Sequence, residues 1–239
     1  MRFREPLVVG RLIRRYQRFL ADFALDDGTI VTAHCANPGS MRTCLVPGSR
    51  GWLSRSDDPR RKLRFTWQIA EVGRARVYVN PIGANQLARE GIETGVVGEL
   101  DGYASLRSEV SYGARSRVDF LLEGDRGLCY VEVKNATLLL ARGVAGFPDA
   151  VTKRGLRHLD ELCQMVGAGA RAVLLFCVSR TDAHALAPAD EIDPAFGRAL
   201  RRAAAAGVEL LAYRARVTPR EIRLVARVPI ELPGLARSR

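Results

Sequence analysis

Residues 117–134 carry the pattern that most limits how this chain can fold. Two apolar runs of strand length, 118–122 and 128–133, flank Gly124-Asp-Arg-Gly127, a cluster of turn-forming residues. The pattern predicts a β-hairpin whose loop consists of the four residues 124–127. Counting back from this loop sets Glu123 opposite Leu128 and Asp119 opposite Glu132.

Three charged residues share one face of the predicted hairpin. Side chains alternate between the two faces of a strand, so Asp119, Glu132 and Lys134 point to one side, with Arg117 opposite Lys134. Carboxylates that face each other, with Cβ atoms roughly 5 Å apart, repel unless a cation lies between them. The hairpin therefore needs either Lys134 or a metal ion in that position.

The same residues have the spacing of a metal-dependent phosphodiesterase site. Asp119, followed by Glu132-Val-Lys134, matches the D…E-x-K spacing of the PD-(D/E)xK nuclease fold. Carboxylates suit Mg²⁺ or Mn²⁺, because hard cations take oxygen ligands. The metal would polarise the phosphate, and Lys134 would orient the attacking water or stabilise developing charge. Glu90 or Glu109 could complete the acidic cluster as a third metal ligand, and periodicity does not choose between them.

The alternative interpretation is that Glu132 and Lys134 form a solvated strand face, which is the commoner meaning of such a pair. Lysine usage counts against it, because 34 of the 37 basic residues are arginine. A compact, titratable ammonium suits water activation at a crowded site. His158, one helical turn after Arg154, is interpreted as structural unless its helix face looks toward Glu132.

Residues 1–82 are predicted to form a small barrel of the OB type. Short strands with Gly and Pro turns between them are indicated at 18–25, 29–33, 50–54, 63–70 and 76–80. Two arginine clusters, 14–18 and 60–64, lie near aromatic residues in the sequence, as in a groove for single-stranded nucleic acid. In the alternative interpretation the aromatic residues form the barrel core and the arginines its surface. The predicted nucleic-acid contacts are Arg14, Arg15, Arg18, Arg60, Arg61, Arg64, Arg117, Lys153 and Arg154.

Residues 83–239 are predicted to form an α/β domain with a mixed sheet. Asn80-Pro-Ile-Gly83 marks the boundary, and residues 141–148 are predicted to be a Gly-rich loop, after which Asp149 caps a helix. The run 172–178 is apolar throughout, which is typical of a strand buried on both faces. The predicted elements are helices at 84–92, 149–166 and 194–206, and strands at 105–112, 172–178 and 208–213, besides the hairpin.

The net charge of +11 favours a polyanionic partner, since clustered cations release counterions from a phosphate backbone. A solvated basic surface is the alternative. The five cysteines are scattered without a Cys-x-x-Cys pair, so we expect reduced thiols and no zinc site. No signal peptide or membrane-spanning run is evident, and we expect a cytoplasmic, nucleoid-associated protein with no membrane partner.

Four segments of the chain resemble the bacterial sugar fermentation stimulation protein A (SfsA) family. They are Arg15-Tyr-Gln-Arg-Phe-Leu-Ala-Asp22, Ala114-Arg-Ser-Arg-Val-Asp-Phe-Leu-Leu122, Tyr130-Val-Glu-Val-Lys134 and Phe147-Pro-Asp-Ala-Val-Thr-Lys-Arg-Gly155. The resemblance implies an OB-like domain followed by a nuclease-like domain, DNA binding without strong sequence preference, and a regulatory role in sugar metabolism, especially that of maltose. It also implies nuclease-type roles for Asp119, Glu132 and Lys134, with Glu90 as the acid of the first helix. Cys35-Ala-Asn-Pro-Gly39 departs from the family's Cys-Pro-Asn-Thr-Gly.

Three functions follow from these patterns. The first is a Mg²⁺- or Mn²⁺-dependent nuclease acting on single- or double-stranded DNA. The second is a non-catalytic DNA-binding regulator of sugar metabolism with a vestigial nuclease site. The third, an enzyme for a small phosphorylated sugar, ranks last because no Gly-rich phosphate loop is present. A homodimer is left open.

Overall fold

The first part of the chain is a closed barrel. The computed structural model describes residues 1–112 and 116–233, with the side chain of residue 116 also outside the description, so Ala114 and Arg115 of the family-like segment are not covered. The strands run in the order β3-β2-β1-β4-β5-β6, and a parallel pairing of β3 with β5 closes five of them into a barrel. These strands are β1 Val8–Tyr16, β2 Leu20–Leu25, β3 Ile30–His34, β4 Arg50–Arg55, β5 Phe65–Val72 and β6 Ala75–Tyr78.

The barrel confirms the predicted OB-like fold, and all five predicted strands are present. Strand β1 was missed, because outward-facing arginines interrupt its apolar pattern and a register shift falls between Leu12 and Arg14. The alternative interpretation holds for Trp67, which is buried in the barrel core against Phe23 with ring centroids 5.2 Å apart. Trp52 is also buried, but in the core that the barrel shares with α1 and the mixed sheet.

The second part of the chain is a mixed sheet with helices on both faces. The sheet order is β15-β14-β12-β9-β8-β7, in which β12 runs parallel to both β9 and β14 and the other neighbours are antiparallel. Its strands are β7 Ser105–Tyr112, β8 Ser116–Gly124, β9 Gly127–Ala136, β12 Arg171–Val178, β14 Glu209–Val217 and β15 Ile222–Arg227. A second, smaller sheet contains β10 Leu138–Ala141, β11 Val144–Phe147 and β13 Ala185–Pro188.

Three helices cover this mixed sheet: α1 Ala84–Glu93, α2 Lys153–Gly167 and α3 Pro194–Ala205. Two short 3-10 turns, Pro81–Gly83 and Gly98–Leu100, flank α1. Strand β12 is buried on both faces, as predicted, because Val173 and Leu175 pack in the core with α1, whereas Leu174 and Phe176 pack in the core with α2 and α3. The mixed α/β architecture is therefore confirmed. None of the helices in the described ranges has the length and apolarity needed to cross a bilayer.

Two local predictions in this part of the chain are wrong. The segment 141–148, expected to be a loop, contains the last residue of β10, the turn of the β10–β11 hairpin with Gly143 at a φ of 83°, and the whole of β11. Asp149 does not cap α2. The cap is Thr152, whose hydroxyl accepts a hydrogen bond from the Gly155 N–H at 2.9 Å.

Contacts between the two parts of the chain bring the barrel against the mixed sheet. The Asp149 carboxylate accepts the backbone N–H of Met41 at 3.2 Å, and it lies so close to Gly39 that a Cβ there would overlap it. The Tyr78 N–H donates to the Ser179 carbonyl at 2.8 Å, and the Phe3 N–H to the Arg220 carbonyl at 3.1 Å. A cleft next to this junction is lined by residues 37–39 of the barrel, by β9 and by residues 147–152.

Candidate active site

The β8–β9 hairpin has the predicted register. Glu123 pairs with Leu128 and Phe120 with Val131. The loop is shorter than predicted, because Gly124 and Gly127 still pair and leave only Asp125 and Arg126 between the strands. Gly127 has a φ of 81°, the left-handed conformation of a residue that follows a type I turn and forms a G1 bulge. Lengthening the ladder by one pair does not change the register, so the predicted position of Asp119 next to Glu132 holds.

Asp119 is held by backbone and helix together. Its Oδ2 accepts the N–H of Val133 at 2.7 Å, and its Oδ1 accepts from the Asn85 Nδ2 at 2.8 Å. Asn85 lies on the first turn of α1, directly after the Pro81–Gly83 turn. The carboxylate is therefore fixed between β9 and α1.

Glu132 lies beside Asp119 and is bonded through only one of its two oxygens. Its side chain is 3% exposed, and its Oε1 accepts from the Lys134 Nζ at 2.6 Å and contacts the His158 Nδ1. Its Oε2 is buried and has no hydrogen-bond partner in the described residues. A buried carboxylate oxygen without a partner is costly, so this atom has unused capacity that could accept a cation or a hydrogen-bond donor.

His158 faces Glu132, which is the condition under which a role beyond structure was considered for it. The imidazole is buried, and its Nε2 accepts from the Nε of Arg154 at 3.1 Å, one helical turn earlier on α2. Arg154 itself is exposed. Arg154 and His158 thus connect the exposed surface of α2 to the buried Glu132 through two successive contacts.

The pKa values of the two carboxylates are shifted in opposite directions. Burial, reinforced by the charge of Glu132, raises the pKa of Asp119, although the Val133 N–H and Asn85 act against this. Burial also acts to raise the pKa of Glu132, but the hydrogen bond from His158 and the charge of Lys134 outweigh it, so the Glu132 pKa lies below its usual value. Glu132 is therefore the firmly ionised member of the pair, and Asp119 carries the remaining repulsion.

A cleft of about 300 Å³ lies beside this pair. Its lining includes Asn85 and Lys134, the partners of Asp119 and Glu132, and Arg18 and Pro38 from the barrel. Asn135, which also lines it, has a buried amide nitrogen without a partner in the described ranges. The cleft is thus lined by residues from both parts of the chain, and one of its lining residues, Asn135, has unused hydrogen-bonding capacity.

The structure does not bring Glu90 to the pair. Its carboxylate contacts the amino group of Met1 and accepts from the Gln86 Nε2 at 3.2 Å. Glu90 comes five residues after Asn85, which places it about 140° around the helix. Asn85 therefore occupies the position on α1 that was expected for an acid, and the predicted catalytic and metal-binding role of Glu90 is not supported by its position.

Glu109 lies on β7, between the pairs Ser108–Phe120 and Val110–Val118, and so is level with Asp119 on the adjacent strand. Its side chain is exposed and its φ is 55°. In the described residues no group of three or more His, Cys, Asp or Glu side chains has the geometry to hold a metal ion. The site therefore offers two carboxylates. This number suits Mg²⁺, which binds through one or two carboxylates and otherwise through waters and substrate phosphates.

The predicted nucleic-acid contacts in the barrel are in large part bonded within the protein. Arg15 donates to the carbonyls of Arg18, Asn37, Gly39 and Ser40 at 2.9–3.2 Å. Arg14 pairs with Asp22 at 2.9 Å and lies over the Tyr16 ring. Arg18 donates to the Pro38 carbonyl and is the member of this cluster that borders the cleft.

The remaining predicted contacts are exposed. Arg60, Arg61 and Arg64 belong to the segment between β4 and β5, where Arg60 pairs with Asp58 and Arg61 donates to the Thr66 hydroxyl. Arg117 lies on β8 and Lys153 begins α2. Of the nine residues, Arg18 and Arg154 have the closest structural connection to the carboxylate pair.

Sequence reasoning missed Asn85 and underestimated His158. Asn85 carries no charge, and only its position at the start of the helix after Asn80-Pro81 could have drawn attention to it. The i, i+4 spacing of Arg154 and His158 was visible, but the direction of their helix face depends on how α2 packs on β9.

Comparison with known proteins gives one consistent result. Residues 13–79 match the family model described as the SfsA N-terminal OB domain, and residues 83–221 match the sugar fermentation stimulation protein RE domain. A sugar fermentation stimulation protein homolog of Geobacter sulfurreducens is 58% identical over 226 residues, which cover 95% of this chain and 97% of that protein. A homolog of Geobacter metallireducens is 56% identical over 233 residues, covering 97% and 100%.

Among solved structures, Pyrococcus furiosus SfsA in complex with Ca²⁺ superposes with a TM-score of 0.87 at 26% identity. The superposition covers 97% of this chain and 98% of that one. The similarity therefore extends over both the barrel and the mixed sheet.

Proposed function

The chain belongs to the sugar fermentation stimulation protein family, and from this premise we propose that it is a divalent-metal-dependent phosphodiesterase that binds and cuts DNA. The observation that carries the proposal is the buried Oε2 of Glu132, which lies beside the carboxylate of Asp119 and has no hydrogen-bond partner among residues 1–112 and 116–233. A cation bound there would supply the missing partner and relieve the repulsion that raises the pKa of Asp119.

The donor set fits Mg²⁺ or Mn²⁺. Asp119 and Glu132 offer hard carboxylate oxygens, and the Asn85 and Val133 contacts already fix the orientation of Asp119. A relative, Pyrococcus furiosus SfsA, is known as a Ca²⁺ complex, and Ca²⁺ also takes oxygen ligands. When bound, the metal would polarise the substrate phosphate and acidify a water molecule.

The protein's own groups then have distinct tasks. The Lys134 ammonium lines the cleft, so it can orient the attacking water or stabilise the charge that develops on the phosphate. Arg18, at the edge of the same cleft, can contact a neighbouring phosphate. The chain's net charge of +11 gives DNA an electrostatic reason to approach.

The test is a cleavage assay with single- and double-stranded DNA and RNA, in the presence of Mg²⁺, Mn²⁺ or EDTA. We expect cleavage of DNA that requires the metal, and a loss of roughly two to four orders of magnitude in Asp119→Asn, because metal catalysis supplies several kcal/mol. Asp125→Asn is the matched control, since Asp125 lies exposed in the loop of the same hairpin. Absence of any metal-dependent cleavage that Asp119→Asn removes would exclude the proposal for these substrates.

A second candidate is a DNA-binding regulator that does not cut. It is favoured by the presence of only two carboxylates in the site, and by the fact that Lys134 and His158 both already bond to Oε1 of Glu132. This candidate predicts DNA binding that weakens steeply with salt and is the same in Asp119→Asn as in the wild type. The proposed role in sugar metabolism belongs with either candidate.

A further inference from the structure

We propose that His158 is a positioning residue that turns Glu132 so that its Oε2 stays free for the metal ion, and that Arg154 enforces the histidine tautomer this requires. The inference rests on the proposed function, because it assigns a role toward the metal that Glu132 would bind. His158 touches Glu132 and would not touch the metal or the phosphate.

The first step concerns the choice between two oxygens. The terminal torsion of a glutamate is broad, so nothing within Glu132 itself decides which oxygen is free. In the structure both donors, the Lys134 Nζ and the His158 Nδ1, meet at Oε1, and they lie 3.2 Å from each other. This leaves Oε2 buried and available.

The second step concerns which donor sets the direction. Lys134 has a flexible side chain and lies two residues after Glu132 on the same strand, so its ammonium could donate to either oxygen of Glu132. His158 is a rigid ring on α2, 2% exposed, and packed between Arg154 and Glu132. The imidazole is therefore the fixed point against which the carboxylate is oriented.

The third step concerns the proton on the ring. A neutral imidazole has one N–H and one acceptor nitrogen, and the partner of one nitrogen determines the state of the other. The Arg154 Nε can only donate and lies 3.1 Å from Nε2, whereas the ionised Glu132 carboxylate at Nδ1 can only accept, so Nε2 is the acceptor and the Lys134 ammonium beside Nδ1 bonds to Glu132 instead. The proton then resides on Nδ1, where it is donated to Glu132. Partners of this kind around a metal ligand typically change metal affinity or activity by about 10–100-fold when they are removed.

The tautomer can be measured without metal or substrate. The chain has three histidines, so the ¹⁵N resonances of a histidine-labelled sample are few, and those of His158 are identified by their loss in His158→Asn. We expect a protonated Nδ1 and an unprotonated Nε2 in the metal-free wild type. In Arg154→Lys, which keeps the charge but removes the Nε donor, we expect that preference to weaken. A proton on Nε2 in the wild type would overturn the inference.

The effect on Glu132 is measured as Mn²⁺ affinity by titration calorimetry. In His158→Gln the amide nitrogen takes the place of Nε2, whereas in His158→Asn it takes the place of Nδ1 and can still donate to Glu132. We expect Mn²⁺ binding to weaken by about 10–100-fold in His158→Gln and by clearly less in His158→Asn. His184→Gln is the control for loss of a histidine elsewhere.

The outcomes separate the inference from the proposed function. If the wild type binds Mn²⁺ and the Gln and Asn variants bind it equally, whether both normally or both weakly, His158 does not act through its Nδ1 donor and the inference fails. If the wild type binds no Mn²⁺ at all, the proposed function fails, and with it the role of His158 toward a metal ion. The tautomer measurement then decides separately whether Arg154 and His158 orient Glu132 in the way described.

Discussion

The acidic β8–β9 hairpin and the arginine-rich β1–β2 hairpin differ in how much of their bonding capacity is used within the protein. In the first, Glu132 has a buried oxygen with no partner in the described residues, and Asp119 is repelled by it. In the second, Arg15 donates to four backbone carbonyls and Arg14 pairs with Asp22. Both segments are rich in charge, yet in the described residues the first contains a buried carboxylate oxygen without a partner, whereas Arg14 and Arg15 are bonded within the protein.

The difference teaches that the density of charge in a sequence does not identify a site. A charged group whose donors or acceptors are all used stabilises the fold, whereas one that is buried and only partly bonded costs free energy unless a ligand completes it. Arg15 belongs to the first kind and Glu132 to the second. The predictions below test this assignment by the free energy of unfolding, from the largest expected change to the smallest.

The largest difference should lie between the two carboxylates themselves. Glu132→Gln removes the charge that the partly buried Lys134 is paired with, so we expect the free energy of unfolding of the metal-free protein to fall by about 3 kcal/mol, the lower end of the range for buried pairs. Asp119→Asn removes a carboxylate that is repelled by Glu132, so we expect no loss, or a gain, at neutral pH. Urea unfolding of both variants in EDTA measures this. Equal destabilisation by both changes would contradict the assignment.

The same pair predicts opposite pH dependences of stability. The pKa of Glu132 is lowered in the folded protein, so its contribution is present above the ordinary glutamate range and is lost as the pH falls through the folded value. The pKa of Asp119 is raised, so the folded state binds more protons than the unfolded state, and stability decreases as the pH rises from the ordinary aspartate range. Asp119→Asn should remove that decrease, whereas Glu132→Gln should remove the loss at low pH.

Arg15→Lys tests the arginine-rich hairpin. A lysine keeps the charge but cannot reach four carbonyls at once, so we expect the free energy of unfolding to fall by about 2–3 kcal/mol while DNA affinity per folded molecule stays unchanged. Arg14→Lys is the control, because the Arg14 side chain is exposed and makes a single ion pair, with Asp22, so this change should lower stability clearly less than Arg15→Lys. A DNA-binding defect in Arg15→Lys without a loss of stability would restore Arg15 as a nucleic-acid contact.

The contrast also explains what could be predicted from the sequence. The register of the β8–β9 hairpin depends on local counting, and the position of Asp119 beside Glu132 was therefore correct even though the loop length was not. The barrel, the mixed sheet and the doubly buried β12 follow from short-range periodicity. Strand β1 and the β10–β11 hairpin were missed because their apolar residues are interrupted or sit beside glycines.

Contacts between distant segments could not be predicted in this way. Glu90 and Asn85 lie on the same helix, and only the rotation of α1 against the sheet decides which of them meets Asp119. Asp149 was expected to cap a helix, but its carboxylate is used by Met41 across the junction. Three of the four carbonyls that Arg15 bonds belong to a loop more than twenty residues away, which a charge pattern does not show.

Gly39→Ala tests the junction where the two regions meet. A Cβ at this position would overlap the Asp149 carboxylate, which holds the 37–41 loop against the C-terminal part of the chain. We expect the free energy of unfolding to fall by about 1–2 kcal/mol through overpacking. Gly98→Ala is the matched control, because nothing lies within 4 Å of a Cβ at that glycine. If Gly39→Ala is as stable as Gly98→Ala, the junction is not tightly packed at that point.

The smallest change in stability should come from the exposed segment between β4 and β5. Reversing the charge of Arg60, Arg61 and Arg64 together should leave the free energy of unfolding nearly unchanged, since the three side chains are on the surface. If they contact DNA phosphates, each lost contact lowers the slope of log affinity against log salt by about 0.9. A fluorescence-anisotropy titration of DNA at several salt concentrations measures both affinity and slope.

The control for this variant must change the net charge equally at other exposed positions. Three exposed arginines of the C-terminal part of the chain serve this purpose: Arg142, Arg198 and Arg202. If the triple reversal at positions 60, 61 and 64 lowers the slope and the control does not, the segment between β4 and β5 forms part of the DNA path. If the triple reversal and the control lower the affinity equally, the effect is one of net charge, and the barrel arginines attract DNA through the overall electrostatic potential of the protein.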